Sequence, residues 1–122
     1  MPYRALVVED DPSIRKLVEK LLARRMAAVD TVADGRTALE KLRVQRYSVV
    51  VLDLMVPEID GFQLIEYVKR EHPGTPVAVV SALSGKSLTN LDPDVVKLII
   101  AKPFDVDEFT NAIFALIEKA EG

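Results

Sequence analysis

"VVVLDLMVPEIDG", Val49 to Gly61, sets four apolar residues directly against an aspartate and follows them with a proline and a glycine. A residue that ends a buried strand sits where the chain leaves the core. A carboxylate there belongs either to a turn or to a site, and the rest of the chain must decide which. Three other runs share the pattern: ALVV (Ala5–Val8), VAVV (Val77–Val80) and LIIA (Leu98–Ala101). All are short, mostly β-branched and bounded by polar or turn residues. Unbroken apolar runs of this length predict strands buried on both faces, as in a parallel sheet. AVDTVA (Ala28–Ala33) is weaker and alternates, which predicts an edge strand.

Amphipathic stretches lie between these runs. Ile14, Leu17, Val18, Leu21 and Leu22 recur at helical spacing, as do Ala38, Leu39 and Leu42, then Leu64, Ile65 and Val68, and finally Phe109, Ile113, Leu116 and Ile117. Asp11-Pro12 fits a helix start, with Asp as N-cap and Pro in the first turn, and Asp105 fits a second cap. Ser84–Val96, SGKSLTNLDPDVV, carries Gly85, Pro93, little periodicity and few apolar anchors, so a fourth helix there is expected to be short or irregular. Strand and helix alternating along the chain predict an α/β domain, a doubly wound five-stranded parallel sheet with helices on both faces.

The chain has 122 residues, the size of one domain, and no cysteine, which removes disulfides, zinc thiolates and thiol nucleophiles together. With 16 basic and 19 acidic residues its formal charge is −3, which argues against a broad nucleic-acid footprint. No apolar stretch approaches the ~20 residues that span a bilayer, and the N-terminus lacks the pattern of a signal peptide. The expectation is a cytoplasmic domain with no direct nucleic-acid or membrane partner.

In open α/β sheets ligands bind outside the carboxyl ends of the strands. After the first run come Glu9, Asp10 and Asp11; after the third, Asp53; after the fourth, Ser81; one residue past Ala101, Lys102. If the strands are parallel, these groups share one rim. Clustered carboxylates repel each other unless a cation neutralises them, and their hard oxygens suit Mg²⁺. A lysine and a serine facing such a site suit the oxygens of a phosphoryl group, and a carboxylate can itself become an aspartyl-phosphate. Asp53 is the best acceptor. Taken singly, each residue has a plainer reading: a turn aspartate, solvated loop acids, a helix cap at Asp11, an exposed lysine before Pro103. Only their conjunction at four strand ends is specific. His72, the single histidine, is read as a surface residue in a helix-to-strand connection, so Ser-His and Cys-His nucleophile systems have little support.

ALVVEDDPSIRKLV, DLMVPEIDGFQLI, VVSALS and AKPF closely resemble the receiver domain of bacterial two-component response regulators, over nearly the whole chain. The resemblance implies a flavodoxin-like sheet in the order 2-1-3-4-5. It implies phosphoryl transfer onto Asp53 from a histidine kinase or histidine phosphotransfer protein, with the downstream partner unassigned. It implies a Mg²⁺ site in which Asp10 and Asp53 are ligands, Glu9 acts through water and Met55 offers its backbone carbonyl. Ser81 and Lys102 then hold the phosphoryl group, and Ala82 is the small residue that leaves it accessible. Ile99 stands where the family carries Tyr or Phe, so no aromatic rotamer switch is expected. The C-terminal helix lacks the basic residues that DNA-binding members use for charged dimer contacts. On this reading residues 1–122 are one receiver domain without an output domain, a signalling domain that catalyses its own phosphorylation and dephosphorylation rather than an enzyme. The alternatives are a degenerate receiver that only binds a partner, and a small phosphatase of the aspartyl-phosphate type. Against the phosphatase, Met55 stands where a second acid would act two residues beyond Asp53.

Overall fold

The computed structural model of the protein describes residues 3–55, 61–82, 88 and 90–121. Five strands, β1 (Arg4–Val8), β2 (Ala28–Val32), β3 (Val49–Leu52), β4 (Val77–Ser81) and β5 (Val96–Ala101), form one sheet in the order β2-β1-β3-β4-β5. Every pairing is parallel. Four helices are described: α1 (Pro12–Ala23), α2 (Gly35–Val44), α3 (Gly61–Glu71) and α4 (Val106–Glu121).

Because successive strand residues point to opposite faces, the apolar runs feed two separate cores. Leu6, Val8, Val50, Leu52, Val77 and Val79 pack on one side with Ala38 and Leu42 of α2 and Leu64, Ile65 and Val68 of α3. Ala5, Val7, Val49, Val51, Ala78 and Val80 pack on the other with Val18, Leu21 and Leu22 of α1 and Phe109, Ile113, Phe114 and Ile117 of α4. The uninterrupted apolar character of the central strands follows from this two-sided burial. β2 lies at an edge, as its alternation predicts, and its burial is only partial.

The caps also match. Asp11 accepts from the amides of Ser13 and Ile14 at 2.8 and 3.1 Å. Asp105 Oδ1 accepts from the Glu108 amide at 2.9 Å at the start of α4. Gly61 opens α3 against the exit of β3. A Cβ there would lie 2.8 Å from Leu54 Cα, so the glycine permits a close approach of two backbone segments.

One expectation lies partly outside the described residues, and one needs correction. The stretch Ser84–Val96 falls in part on residues 84–87 and 89, outside those described. Its C-terminal part, however, is anchored: Leu91 and Val95 are buried in the core and Val96 already belongs to β5. His72 is not a surface residue. It is 7% exposed, and its Nε2 lies 2.7 Å from Leu42 O. That carbonyl is in the last turn of α2, where helical geometry provides no intrahelical donor, so the histidine caps one helix from the end of another. Among the described residues no helix is long and apolar enough to cross a membrane.

Candidate functional site at the carboxyl rim

The sheet ladder runs one residue past each strand and so fixes where the polar groups begin. The Glu9 amide donates to Val32 O, the Asp53 amide to Val8 O and the Lys102 amide to Ser81 O, at 3.0, 3.0 and 2.9 Å. Glu9, Asp53 and Lys102, together with Ser81 at the end of β4, are therefore held at the same end of the sheet. Glu9 and Asp53 are 4% and 7% exposed and Ser81 is fully buried, whereas Asp10 and Met55 are exposed.

Lys102 ties the acids together. Its Nζ donates to Glu9 Oε1 at 2.6 Å and to Asp53 Oδ2 at 3.0 Å. The remaining oxygens are also engaged: Asp53 Oδ1 accepts from the Met55 amide at 3.0 Å, and Glu9 Oε2 from the Asp11 amide at 3.2 Å. The peptide bond between Lys102 and Pro103 is cis. Burial pushes the Glu9 carboxyl up from its ordinary pKa, and the Asp53 charge adds to this; hydrogen bonds from Lys102 and the Asp11 amide oppose it. For Lys102, burial works against the charge. Its hydrogen bonds to Glu9 and Asp53, with their negative charges, outweigh burial and raise its pKa.

Glu9, Asp10 and Asp53 each offer a carboxylate oxygen within 4.8 Å of the others. An all-oxygen donor set with one exposed member suits a hard divalent cation such as Mg²⁺, which takes few protein carboxylates and keeps several waters. Both oxygens of Glu9 and both of Asp53 already have protein partners, which leaves the exposed Asp10 carboxylate the most open of the three to an ion. The apolar cleft of about 600 Å³ between β5 and α4, lined by residues such as Gly74, Pro76, Leu98 and Leu116, contains none of these groups. Ile99 stands 45% exposed on β5 and offers no ring to the rim.

One group in the site carried no sequence prediction. Arg15, on α1, donates from Nη1 to Glu9 O at 2.9 Å and to Asp10 O at 3.4 Å. Helical side chains lean toward the N-terminus, so an arginine four residues after the N-cap was a legible signal for such a contact.

The profile of the family described as "Response regulator receiver domain" matches residues 5–114. The chain belongs to the response regulator receiver domain family. It is 37% identical over 115 residues to the transcriptional regulatory protein TcrA of Mycobacterium tuberculosis, covering 93% of this chain and 45% of that protein. It is 31% identical over 116 residues to the response regulator ArlR of Staphylococcus aureus, covering 93% and 52%. The receiver domain thus spans about half the length of these curated relatives. Among solved structures, the BeF3-activated receiver domain of DrrB from Thermotoga maritima superposes with a TM-score of 0.88 at 27% identity, covering 97% of this chain and 99% of that one. The signal receiver domain of a putative Luxo repressor protein from Vibrio parahaemolyticus shares the fold, with a TM-score of 0.90 at 21% identity, covering 99% and 94%.

Proposed function

We propose that this receiver domain accepts a phosphoryl group on Asp53 from a phosphorylated histidine of a kinase or phosphotransfer protein. One observation carries the reading: Lys102 bridges Glu9 and Asp53 at the strand ends, with an Asp10 oxygen completing a three-carboxylate cluster. An Asp53 oxygen attacks phosphorus, forming an O–P bond. The P–N bond to the donor imidazole breaks, and its electron pair stays on the ring nitrogen. Lys102, held protonated by its acidic neighbours, lies one hydrogen bond from Asp53 and stabilises the charge gathering on the phosphoryl oxygens. Ser81, at the end of the neighbouring strand, supplies a hydroxyl. Mg²⁺, when bound by Asp10 and Asp53 with Met55 O and, through water, Glu9, supplies further charge neutralisation.

The chain modifies itself and turns over no substrate, which makes it a switch: an added charge of about −2 on Asp53 biases a two-state protein-binding surface. Incubation with a small phosphodonor and Mg²⁺ should raise the intact mass by one phosphoryl group, and Asp53→Asn should abolish the shift while remaining folded. An unchanged mass in the parent protein would sink the reading. A full shift in Asp53→Asn would rule out the choice of acceptor.

A further inference from the structure

We infer that Arg15 is a positioning residue for the cation site: it sets the backbone from which Glu9 and Asp10 project. The inference rests on reading Glu9, Asp10 and Asp53 as that site. Residues 9–11 lie between the end of β1 and the start of α1. The Arg15 guanidinium takes two successive carbonyls of this connection through Nη1, Glu9 O at 2.9 Å and Asp10 O at 3.4 Å, while the next carbonyl, Asp11 O, is held by the ordinary first backbone bond of α1 from the Arg15 amide at 2.9 Å. A planar guanidinium with several N–H groups can hold two carbonyls at once; an ammonium is a compact point charge. With the carbonyls turned toward α1, the connection is braced on its other side by Glu9 itself, whose Oε2 accepts from the Asp11 amide. The exposed Asp10 carboxylate then stands within 4.8 Å of oxygens of Glu9 and Asp53. Without the brace the acids would spread, because like charges repel.

Two roles of the same arginine predict opposite signs. As a charge near the acids it repels a divalent cation, so its removal would tighten cation binding. As a brace it preorganises the ligands, so its removal weakens binding. The carbonyl contacts favour the brace.

The test is a Mn²⁺ titration of the metal-free protein, with free ion followed by electron paramagnetic resonance, well below the melting temperature of each variant. Arg15→Met should bind about tenfold more weakly, or about 1.4 kcal/mol. Arg15→Lys keeps the charge and N–H donors but lacks the fixed planar directions of the two Nη1 hydrogens, and should lose about threefold. In metal-free Arg15→Met the amide resonances of Asp10 and Asp11 should shift, a readout independent of any bound ion. Equal affinity in both variants, or tighter binding in Arg15→Met, would overturn the proposal. If Arg15→Met does not fold, Arg15→Lys decides alone: affinity equal to the parent's overturns the brace. A parent protein that binds no Mn²⁺ would instead bring down the underlying reading of the cation site.

Discussion

Two lysines of this domain sit 2.6 Å from a carboxylate oxygen, and they do different things. Lys102 meets Glu9 at the rim, with the two side chains 15% and 5% exposed. Lys69, on α3, meets Asp92 at the same distance, with 47% and 24% exposed. Asp92 also organises the turn before β5, accepting from the Asp94 amide at 2.9 Å through its side chain and from the Val95 and Val96 amides through its carbonyl. In the exposed pair the attraction simply follows opposite charge: the Lys69 hydrogen bond holds the Asp92 carboxyl below its ordinary pKa, and the Asp92 hydrogen bond raises Lys69. In the buried set, desolvation dominates and pushes the Glu9 carboxyl the other way. The same bond length therefore marks a solvated tether in one place and a charge-loaded site in the other. Burial, and the presence of a second acid on the same lysine, make the difference.

The sharpest way to break this comparison is to remove each lysine's charge. Lys102→Met leaves Glu9 and Asp53 buried without their cation, and breaking a buried pair in this way should cost roughly 3 kcal/mol. Chemical denaturation at neutral pH measures it. The deficit should shrink on acidification, because the stranded Glu9 carboxyl, already raised by burial, takes up a proton more readily in the folded variant than in the unfolded chain. A deficit that grows on acidification would show that the carboxylates are not the stranded charges.

Next in size is the effect of cation on the parent. A ligand that binds only the folded state stabilises it by RT ln(1 + [L]/Kd), or about 2.7 kcal/mol at a hundredfold excess over Kd. Asp10→Asn should lose most of the Mg²⁺-dependent rise in melting temperature while changing the metal-free value little. An equal rise in parent and variant would remove Asp10 from the ligand set.

A smaller effect distinguishes Lys102 by pH. Its folded pKa is raised above the ordinary 10.5. The stability it contributes is therefore fully present below that value and is lost only as pH climbs through the higher folded value. Stability of the parent should fall above about pH 10.5, and Lys102→Met should show a shallower fall there. Smallest of all is Lys69→Met, which should leave the melting temperature unchanged within error in moderate salt, since exposed ion pairs are screened. A clear drop would mean that Asp92 relies on the lysine to hold the approach to β5.

What the order of residues determined by itself was local. Val49–Leu52, Ala5–Val8 and Val77–Val80 announce strands buried on two faces, because a strand with both faces in a core has no polar position to offer; Leu98–Ala101 reads the same way, yet β5 is an edge strand whose burial alternates, with Ile99 45% exposed. Helical spacing names Leu64, Ile65 and Val68, and Asp11 and Asp105 announce caps, because a cap is made with amides two or three residues away. Even the candidate rim is legible, since polar groups in place of the next apolar residue stand out at four strand ends. Gly61 reads as a turn residue; only packing shows it as the point where α3 closes on the Leu54 backbone.

Tertiary structure alone decided which groups meet. Lys102 reaches Glu9 across 93 residues and Asp53 across 49, and nothing in the spacing of either says that one ammonium serves both. His72 follows the same logic. Its neighbours in sequence, Glu71 and Pro73, suggest a surface connection, but the unpaired Leu42 carbonyl at the end of α2 draws it into the interior. Periodicity records which face of an element avoids water, and that is written within a few residues. The partner of a buried polar group is whichever donor or acceptor the fold leaves unpaired nearby, and that is settled only when distant segments are brought together.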